Sequence, residues 1–267
     1  MASQFRTLKV SNEKYEPEGL RFAVVRSKHL KGRGDVTLFI PPQIKKIDRH
    51  VPIVILLHGV YGSHWAWTYS INVHRIATRL MEEGRIPPMV LVMPSDGLLG
   101  DGSGYFQHAD KDYEKWIVKD VVSMTKEVVP YSGSGQKIFI AGLSMGGYGA
   151  LRLMAKYPLI FSGASGLSSI TSLKDFLPFL SREEQRYFRE TFGDEELITY
   201  LKKNKKKLPP FRLDCGTGDK LIKSNRFLHQ QLEAAGIPHT YNEFDGGHNN
   251  EYWTANIDKT LMYFSGL

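Results

Sequence analysis

Cysteine is almost absent from this chain of 267 residues, in which Cys215 is the only one. An intrachain disulfide and a thiolate metal cluster are therefore excluded. The sequence also lacks zinc-finger spacing and the aromatic signature of RNA-binding domains, which argues against a nucleic-acid partner. Because it contains no His-Glu-x-x-His pattern and no clustered ligand spacing, we expect no metal site either.

Long apolar segments are missing as well. The longest apolar run, Val51 to Leu57, is far too short to cross a bilayer. The N-terminal residues Met1 to Arg6 do not have the apolar core of a signal peptide. We therefore expect a cytoplasmic protein without membrane contact, although a leader removed earlier would leave the same sequence.

Length and charge give weaker constraints. The length suits one large α/β domain over residues 1–267, and a hydrophobic content of 42% is ordinary for a globular protein. The net charge is +7, and the segment Lys202 to Lys207 supplies five of the positive charges. This segment is typical of a solvated helix end, and a binding site for acidic partners is the alternative.

Three short strands are predicted at the start of the chain, at residues 4–10, 20–26 and 34–40. Turn-forming residues separate them at positions 16–19 and 31–34. Short strands joined by tight turns indicate an antiparallel arrangement.

Beyond Pro42 the pattern changes to strands that alternate with helices. We predict strands at residues 51–57, 89–94, 137–141, 161–167, 211–216 and 239–244. We predict helices at residues 66–82, 112–129, 150–157, 221–235 and 250–264. Such alternation indicates the α/β class, with a mostly parallel sheet and helices on both faces. Residues 172–207 are helical in character without a strand pattern, so we expect a cap-like insertion there.

The segment Gly142-Leu143-Ser144-Met145-Gly146 joins a predicted strand to a predicted helix. In this context Gly-x-Ser-x-Gly is typical of the nucleophile elbow of serine hydrolases. Its serine would stand on a strained turn at a helix N-terminus, where free N–H groups favour developing negative charge. Side chains at Gly142 and Gly146 would clash at such a turn. We therefore expect Ser144 to be a nucleophile.

A serine hydroxyl needs a base to remove its proton, and the base needs an acid that orients it. His248 is the preferred base, because it follows the last predicted strand and the flexible pair Gly246-Gly247. Asp219 is the preferred acid, because it lies just past a strand end and between serine and histidine in chain order. Asp214 lies inside a predicted strand and ranks below it. Asp245 is too near the histidine in sequence to face it easily.

An oxyanion hole needs two backbone N–H donors. Met145, the residue after the candidate nucleophile, should supply one of them. The loop after His58-Gly59 should supply the other, with Val60 as the first candidate and Tyr61 as the second. His58 itself is expected to pack this loop rather than to act as a base.

These motifs resemble the esterase-D-like branch of the α/β-hydrolases, which includes tributyrin-type carboxylesterases, feruloyl and acetyl-xylan esterases, and S-formylglutathione hydrolases. The resemblance covers nearly the whole chain from about residue 20. Four segments carry it: His58-Gly59, Gly142 to Gly147, Cys215 to Asp219, and Gly246 to His248. It implies an α/β-hydrolase fold with Ser144 as nucleophile, His248 as base and Asp219 as acid.

Aromatic residues in loops near the predicted site are candidates for the substrate pocket, with core packing as the alternative for each. They are Tyr61, Trp65, Trp67, Tyr105 and Phe106. The loops between residues 95 and 112 are too polar and glycine-rich for a long acyl groove. We therefore predict a carboxylesterase for small-molecule esters with short-chain or aryl groups, hydroxycinnamoyl esters included. The triad and oxyanion hole leave no chemical role for a metal or an organic cofactor.

Three other functions stay open at this point. S-formylglutathione hydrolases carry a cysteine soon after the oxyanion loop, where this chain has Trp65 and Trp67, so a glutathione thioesterase is less favoured. An acyltransferase would use the same residues with an alcohol in place of water. A non-catalytic binding module would usually lack a triad residue. The sequence does not define the oligomeric state, and a homodimer is one option.

Overall fold

The computed structural model describes residues 3–16, 18–46, 50–129 and 135–267. Met1, Ala2 and Pro17, the last of which belongs to the first predicted turn, lie outside the described residues. No helix in the described ranges has the length and apolar character needed to cross a membrane.

One sheet contains all nine strands of the described residues. They are β1 (Leu8–Val10), β2 (Leu20–Ser27), β3 (Gly32–Phe39), β4 (Ile53–Leu57), β5 (Val90–Pro94), β6 (Ile138–Leu143), β7 (Gly163–Leu167), β8 (Phe211–Gly216) and β9 (Thr240–Phe244). Their order is β1-β2-β3-β5-β4-β6-β7-β8-β9. The pairs β1–β2, β2–β3 and β3–β5 are antiparallel, and all other pairs are parallel. The antiparallel start and the mostly parallel remainder are confirmed.

Helices cover both faces of this sheet. The α-helices are α1 (Ala66–Tyr69), α2 (Val73–Glu82), α3 (Tyr113–Lys115), α4 (Val122–Val128), α5 (Met145–Lys156), α6 (Leu173–Phe176), α7 (Arg182–Phe192), α8 (Leu197–Lys203), α9 (Ile222–Ala234) and α10 (Asn250–Ser265). A π-helical segment joins α3 to α4, and short 3₁₀ turns occur elsewhere. These are Trp116–Val121 for the π segment and Glu13–Tyr15, Pro42–Lys46, Leu177–Phe179 and Lys205–Lys207 for the 3₁₀ turns.

The central strands are buried on both faces, which explains their continuous apolar runs. In β4, Ile53, Ile55 and Leu57 belong to the core layer that contains residues of α5 and α9. Val54 and Leu56 of the same strand belong to the opposite layer, with residues of α2 and α10. The period of two along the strand therefore divides one apolar run between two cores.

Two predicted helices are interrupted in the structure. The helix predicted over 66–82 is broken between α1 and α2 at Asn72, whose φ of 62° is left-handed. Asparagine tolerates that conformation better than most residues, and a single such residue ends a right-handed helix. The helix predicted over 112–129 changes to π geometry in its middle.

The segment 172–207 between β7 and β8 contains α6, α7 and α8, in agreement with the predicted helical character. Its α7 packs against the loop after β5, where the rings of Phe106 and Phe192 stack with centroids 4.3 Å apart. His108 Nδ1 also lies 2.7 Å from the Tyr187 hydroxyl. The lysine-rich stretch 202–207 is the exposed end of α8 and the 3₁₀ turn after it.

Strand order reverses at β4, because β5 lies on one side of it and β6 on the other. In open α/β sheets, ligands bind outside the carboxyl ends of the strands at such a reversal. The loop after β4 and the turn after β6 therefore begin at the edge where a ligand site is expected.

Candidate active site

Ser144 lies between β6 and α5 at the tip of a tight turn. Its backbone has φ 53° and ψ −119°, a conformation that residues with a side chain rarely adopt. The Ser144 N–H donates to the Leu167 carbonyl at 3.0 Å, and the Ser144 carbonyl accepts from the Ile170 N–H at 3.1 Å. These bonds to the end of β7 hold the strained residue in place, as a strained conformation requires.

The turn leaves room only for glycine on either side of the serine. A Cβ atom on Gly142 would lie 2.1 Å from the Gly146 carbonyl oxygen, and one on Gly146 would lie 2.2 Å from the Leu57 carbonyl oxygen. Both neighbours are backbone atoms, so neither clash is relieved by moving a side chain. This is the clash that the sequence predicts at the two glycines.

Three side chains from three strand ends meet in one line of hydrogen bonds. Ser144 Oγ lies 3.0 Å from His248 Nε2, and His248 Nδ1 lies 2.9 Å and 3.1 Å from the two carboxylate oxygens of Asp219. A carboxylate accepts the Nδ1 proton, which leaves Nε2 as the acceptor that faces the serine hydroxyl. The residues chosen from chain order are therefore brought together by the fold.

The Asp219 carboxylate is buried but well supported. Burial raises the pKa of this carboxyl, but hydrogen bonds from His248 and from the Leu221 N–H at 2.7 Å outweigh burial, so the pKa lies below its ordinary value. A carboxylate that stays ionised holds the histidine in the tautomer described above.

The other two aspartates considered as the acid face elsewhere. Asp214 is buried in β8, where it accepts from the Tyr252 hydroxyl at 2.9 Å and lies 3.0 Å from Arg212. Burial raises the pKa of Asp214 to about 6. Asp245 accepts from the Thr217 hydroxyl at 3.4 Å on the surface. Neither hydrogen bonds to His248 in the described part of the chain.

His58 fixes the loop after β4, as the sequence predicts. Its Nδ1 donates to the Gly59 carbonyl at 2.7 Å, and its Nε2 accepts from the Asp96 backbone N–H at 3.0 Å. The Tyr105 hydroxyl donates to the His58 carbonyl at 3.0 Å. Both ring nitrogens are therefore engaged: Nδ1 within this loop, and Nε2 in a bond that joins it to the loop after β5.

Two backbone N–H groups beside the serine are free to receive a ligand oxygen. Among the described residues, no protein acceptor takes the N–H of Val60 or of Met145. The side chains of these two residues meet at Gly102, which places them on the same side of the site. Tyr61 was the second candidate for the oxyanion donor. Its N–H already donates to the Asp101 carbonyl at 2.9 Å, so this alternative is wrong.

A cavity of about 450 Å³ opens onto Ser144 and His248. Four aromatic side chains line it: Tyr61, Trp65, Phe179 and Trp253. Tyr61 and Trp65 were predicted, and they are 66% and 44% exposed. Phe179 and Trp253 were not predicted. Trp253 lies in the first turn of α10, soon after the histidine, which is a usable signal, whereas nothing in the sequence marks Phe179.

Three predicted pocket residues belong to the core instead. Trp67 faces inward from α1, Tyr105 is held by its bond to His58, and Phe106 is enclosed by aromatic rings of α7. All three are at most 1% exposed, and none lines the cavity at Ser144. Their assignment to the pocket is therefore wrong. The loop after β5, which carries Tyr105 and Phe106, packs down onto the core, and Trp67 belongs to the core layer that contains residues of α2 and α10.

A second group of serine, histidine and aspartate lines a larger cavity of about 800 Å³. There the Ser27 hydroxyl donates to Asp120, and His29 Nδ1 lies 3.0 Å from the other oxygen of the same carboxylate. The carboxylate thus stands between serine and histidine, so no histidine faces the hydroxyl. The order needed for proton removal occurs only in the group at Ser144 among the described residues.

No three histidine, cysteine, aspartate or glutamate side chains in the described residues are grouped to hold a metal ion.

The sheet order, the strained serine after a central strand and the converging loops are those of an α/β-hydrolase. Residues 27–264 match the profile of the family described as "Putative esterase". The chain belongs to this esterase family, and it is a hydrolase of carboxylic esters.

Known proteins resemble the chain in sequence and in fold. An acetyl esterase of Caldicellulosiruptor saccharolyticus is 29% identical over an alignment of 242 positions, and the match covers 83% of this chain and 86% of that protein. A ferulic acid esterase structure matches with a TM-score of 0.76 at 23% identity, over 98% of this chain and 99% of that chain. An S-formylglutathione hydrolase structure from Staphylococcus aureus matches with a TM-score of 0.78 at 18% identity, over 92% and 98%. The predicted α/β-hydrolase fold is thereby confirmed.

We expect Gly146→Ala to destabilise the protein strongly, because the new methyl group would lie 2.2 Å from the Leu57 carbonyl oxygen. Overpacking in a core costs up to about 3 kcal/mol, and more where the backbone must move. Urea unfolding would measure a fall of at least about 3 kcal/mol in the free energy of unfolding.

Gly32→Ala is the matched control, because a Cβ there would lie 3.7 Å from its nearest neighbour. This variant should unfold close to the urea concentration of the wild type. Equal unfolding midpoints for the two variants would contradict the steric account of the elbow.

Proposed function

We propose that the protein is a serine carboxylesterase that works through an acyl-enzyme on Ser144. The observation that carries the proposal is the unbroken line of hydrogen bonds from Ser144 through His248 to Asp219. A serine that is strained, exposed to a cavity and bonded to an oriented histidine has the features of an activated nucleophile.

In the first step, His248 Nε2 takes the hydroxyl proton while Ser144 Oγ attacks the ester carbonyl carbon. Asp219 stabilises the imidazolium through the Nδ1 proton. The carbonyl oxygen becomes an oxyanion, and the N–H groups of Val60 and Met145 are the proposed donors to it. These donors are fixed beforehand by the elbow and by the loop after β4.

The tetrahedral intermediate then collapses. The bond from carbon to the alcohol oxygen breaks, and His248 gives its proton to the leaving alcohol. A water molecule attacks the acyl-enzyme while His248 again acts as base. The acid is released, and Ser144 regains its proton.

The substrate class follows from the pocket and is supported by the relatives. The cavity is small and open, with aromatic walls that suit short acyl groups or flat aryl groups. One relative is named an acetyl esterase, which corresponds to a short acyl group. A structural relative is named a ferulic acid esterase, which corresponds to an aryl group. We include hydroxycinnamoyl esters in the proposed range on this basis.

We further propose that residues 1–267 form one domain in which the 172–207 insertion is part of the pocket wall. Pro178 and Phe179 of the insertion line the cavity, and the Tyr61 hydroxyl donates to the Phe179 carbonyl. The Glu184 carboxylate accepts from the Asp101 N–H at 2.8 Å. These contacts attach the insertion to two loops of the site.

Ser144→Ala should lower kcat for p-nitrophenyl acetate by roughly a millionfold, as expected when the nucleophile of a triad is removed. The variant should also lose covalent labelling by a fluorophosphonate probe, read by intact-protein mass. Ser27→Ala removes the serine of the other group and should still be labelled. Labelling of Ser144→Ala at the wild-type rate would refute the proposed nucleophile.

Asp219→Asn should lower kcat by roughly ten thousandfold, because an amide at this position favours the wrong histidine tautomer. Asp245→Asn is the control, since Asp245 is exposed and contacts Thr217 rather than the histidine. Steady-state kinetics on p-nitrophenyl acetate measures both variants. A crippled Asp245→Asn beside an active Asp219→Asn would mean that the acid has been misassigned.

Activity over p-nitrophenyl esters from C2 to C12 should be greatest at C4 or shorter, because the cavity at Ser144 has a volume of only about 450 Å³. Methyl ferulate and S-formylglutathione belong in the same series. Turnover of methyl ferulate would place the enzyme among hydroxycinnamoyl esterases. A maximum at C8 or longer would contradict the proposal that the pocket accepts only short acyl groups.

A further inference from the structure

Lys220 places a positive charge at the mouth of the candidate active site. It follows Asp219 directly in the chain, and it is one of the residues that line the cavity at Ser144. Its Nζ atom lies 3.9 Å from the centroid of the Phe179 ring. That ring lies 5.7 Å from the ring of His248, so the charge stands beside the histidine.

No carboxylate lines the cavity beside this charge. The described residues that line it include no aspartate and no glutamate, and Lys220 is their only lysine or arginine. Among the described residues, Lys220 forms no ion pair with a carboxylate. The adjacent Asp219 carboxylate hydrogen-bonds to His248 and to the Leu221 N–H rather than to the lysine.

The contact with Phe179 explains how an exposed lysine is held at this position. The face of an aromatic ring attracts an ammonium group, and the contact keeps it over the cavity. The ring and the neighbouring Trp253 also replace part of the water around the site, which strengthens the attraction of an anion. An ammonium group is a compact charge with three donors, and a carboxylate satisfies it well.

The side of the site on which the charge stands identifies the part of the substrate that meets it. The leaving alcohol takes its proton from the histidine, so the alcohol lies on the His248 side of the cleaved bond. Lys220 and His248 contact the same aromatic ring, Phe179, and this shared contact is the basis for assigning the lysine to that side. We propose that Lys220 selects esters whose leaving alcohol carries a carboxylate. This inference rests on the proposed esterase function and names its substrate class.

The test compares two esters of similar shape whose leaving phenol carries either a carboxylate or an uncharged carboxamide. They are 4-acetoxybenzoate and 4-acetoxybenzamide, with the 3-substituted pair beside them to vary the position of the charge. We expect wild-type kcat/KM to favour the carboxylate. In Lys220→Met this preference should fall by about five- to tenfold, mainly through KM, which is the range of a partly exposed charged contact. Lys220→Glu should reduce the preference for the carboxylate ester further, and added salt should weaken this preference in the wild type.

Lys223→Met is the matched control, because Lys223 is an exposed lysine on α9 that does not line the cavity. It changes the net charge equally and should keep the wild-type preference. Equal preferences in wild type and Lys220→Met, for both positions of the charge, would overturn the inference. An equal fall in both lysine variants would also overturn it, because general attraction by a basic protein would then explain the preference. Failure of the wild type to hydrolyse any of these esters would reject the proposed function together with the inference.

Discussion

The close approach of the elbow to the end of β4 is the constraint on which the site depends. Gly146 lies so near the Leu57 carbonyl that even a methyl group is excluded. The same approach brings the next loop against the serine, because a Cβ on Gly59 would lie 3.3 Å from Ser144 Cβ. Val60, the residue after Gly59, is thereby held at the cavity that opens onto Ser144. One steric requirement thus positions both the hydroxyl and a candidate oxyanion donor.

The candidate acid and base depend on a second backbone contact, between the loops after β8 and β9. The Gly218 N–H donates to the Gly246 carbonyl at 2.9 Å, and a Cβ on Gly216 would lie 2.4 Å from the same oxygen. Parallel neighbouring strands end at the same edge, so residues 29 positions apart in the chain face each other there. The bond between Asp219 and His248 is therefore a product of strand pairing.

Residues fixed by backbone geometry could be predicted from the sequence, and residues fixed by packing could not. Glycines mark the elbow and the two strand ends, and those marks led to the residues that meet in the structure. Trp65 and Trp67 have the same chemistry two positions apart, yet only Trp65 lines the cavity. Which of them faces inward depends on how α1 packs against α2 and α10, and no local pattern contains that information. Phe179 likewise lies in an insertion without any motif.

The same distinction separates the candidate reacting residues from the residues that would select the substrate. The candidate reacting groups lie at strand ends of the shared sheet, whereas Phe179 and part of the cavity wall come from the insertion. Structural relatives named as a ferulic acid esterase and an S-formylglutathione hydrolase have this fold at 23% and 18% identity. A fold that accommodates such different esters does not choose among them. The choice must therefore depend on the side chains that reach the cavity from outside the sheet, because loops and insertions tolerate changes in sequence better than the elements they connect.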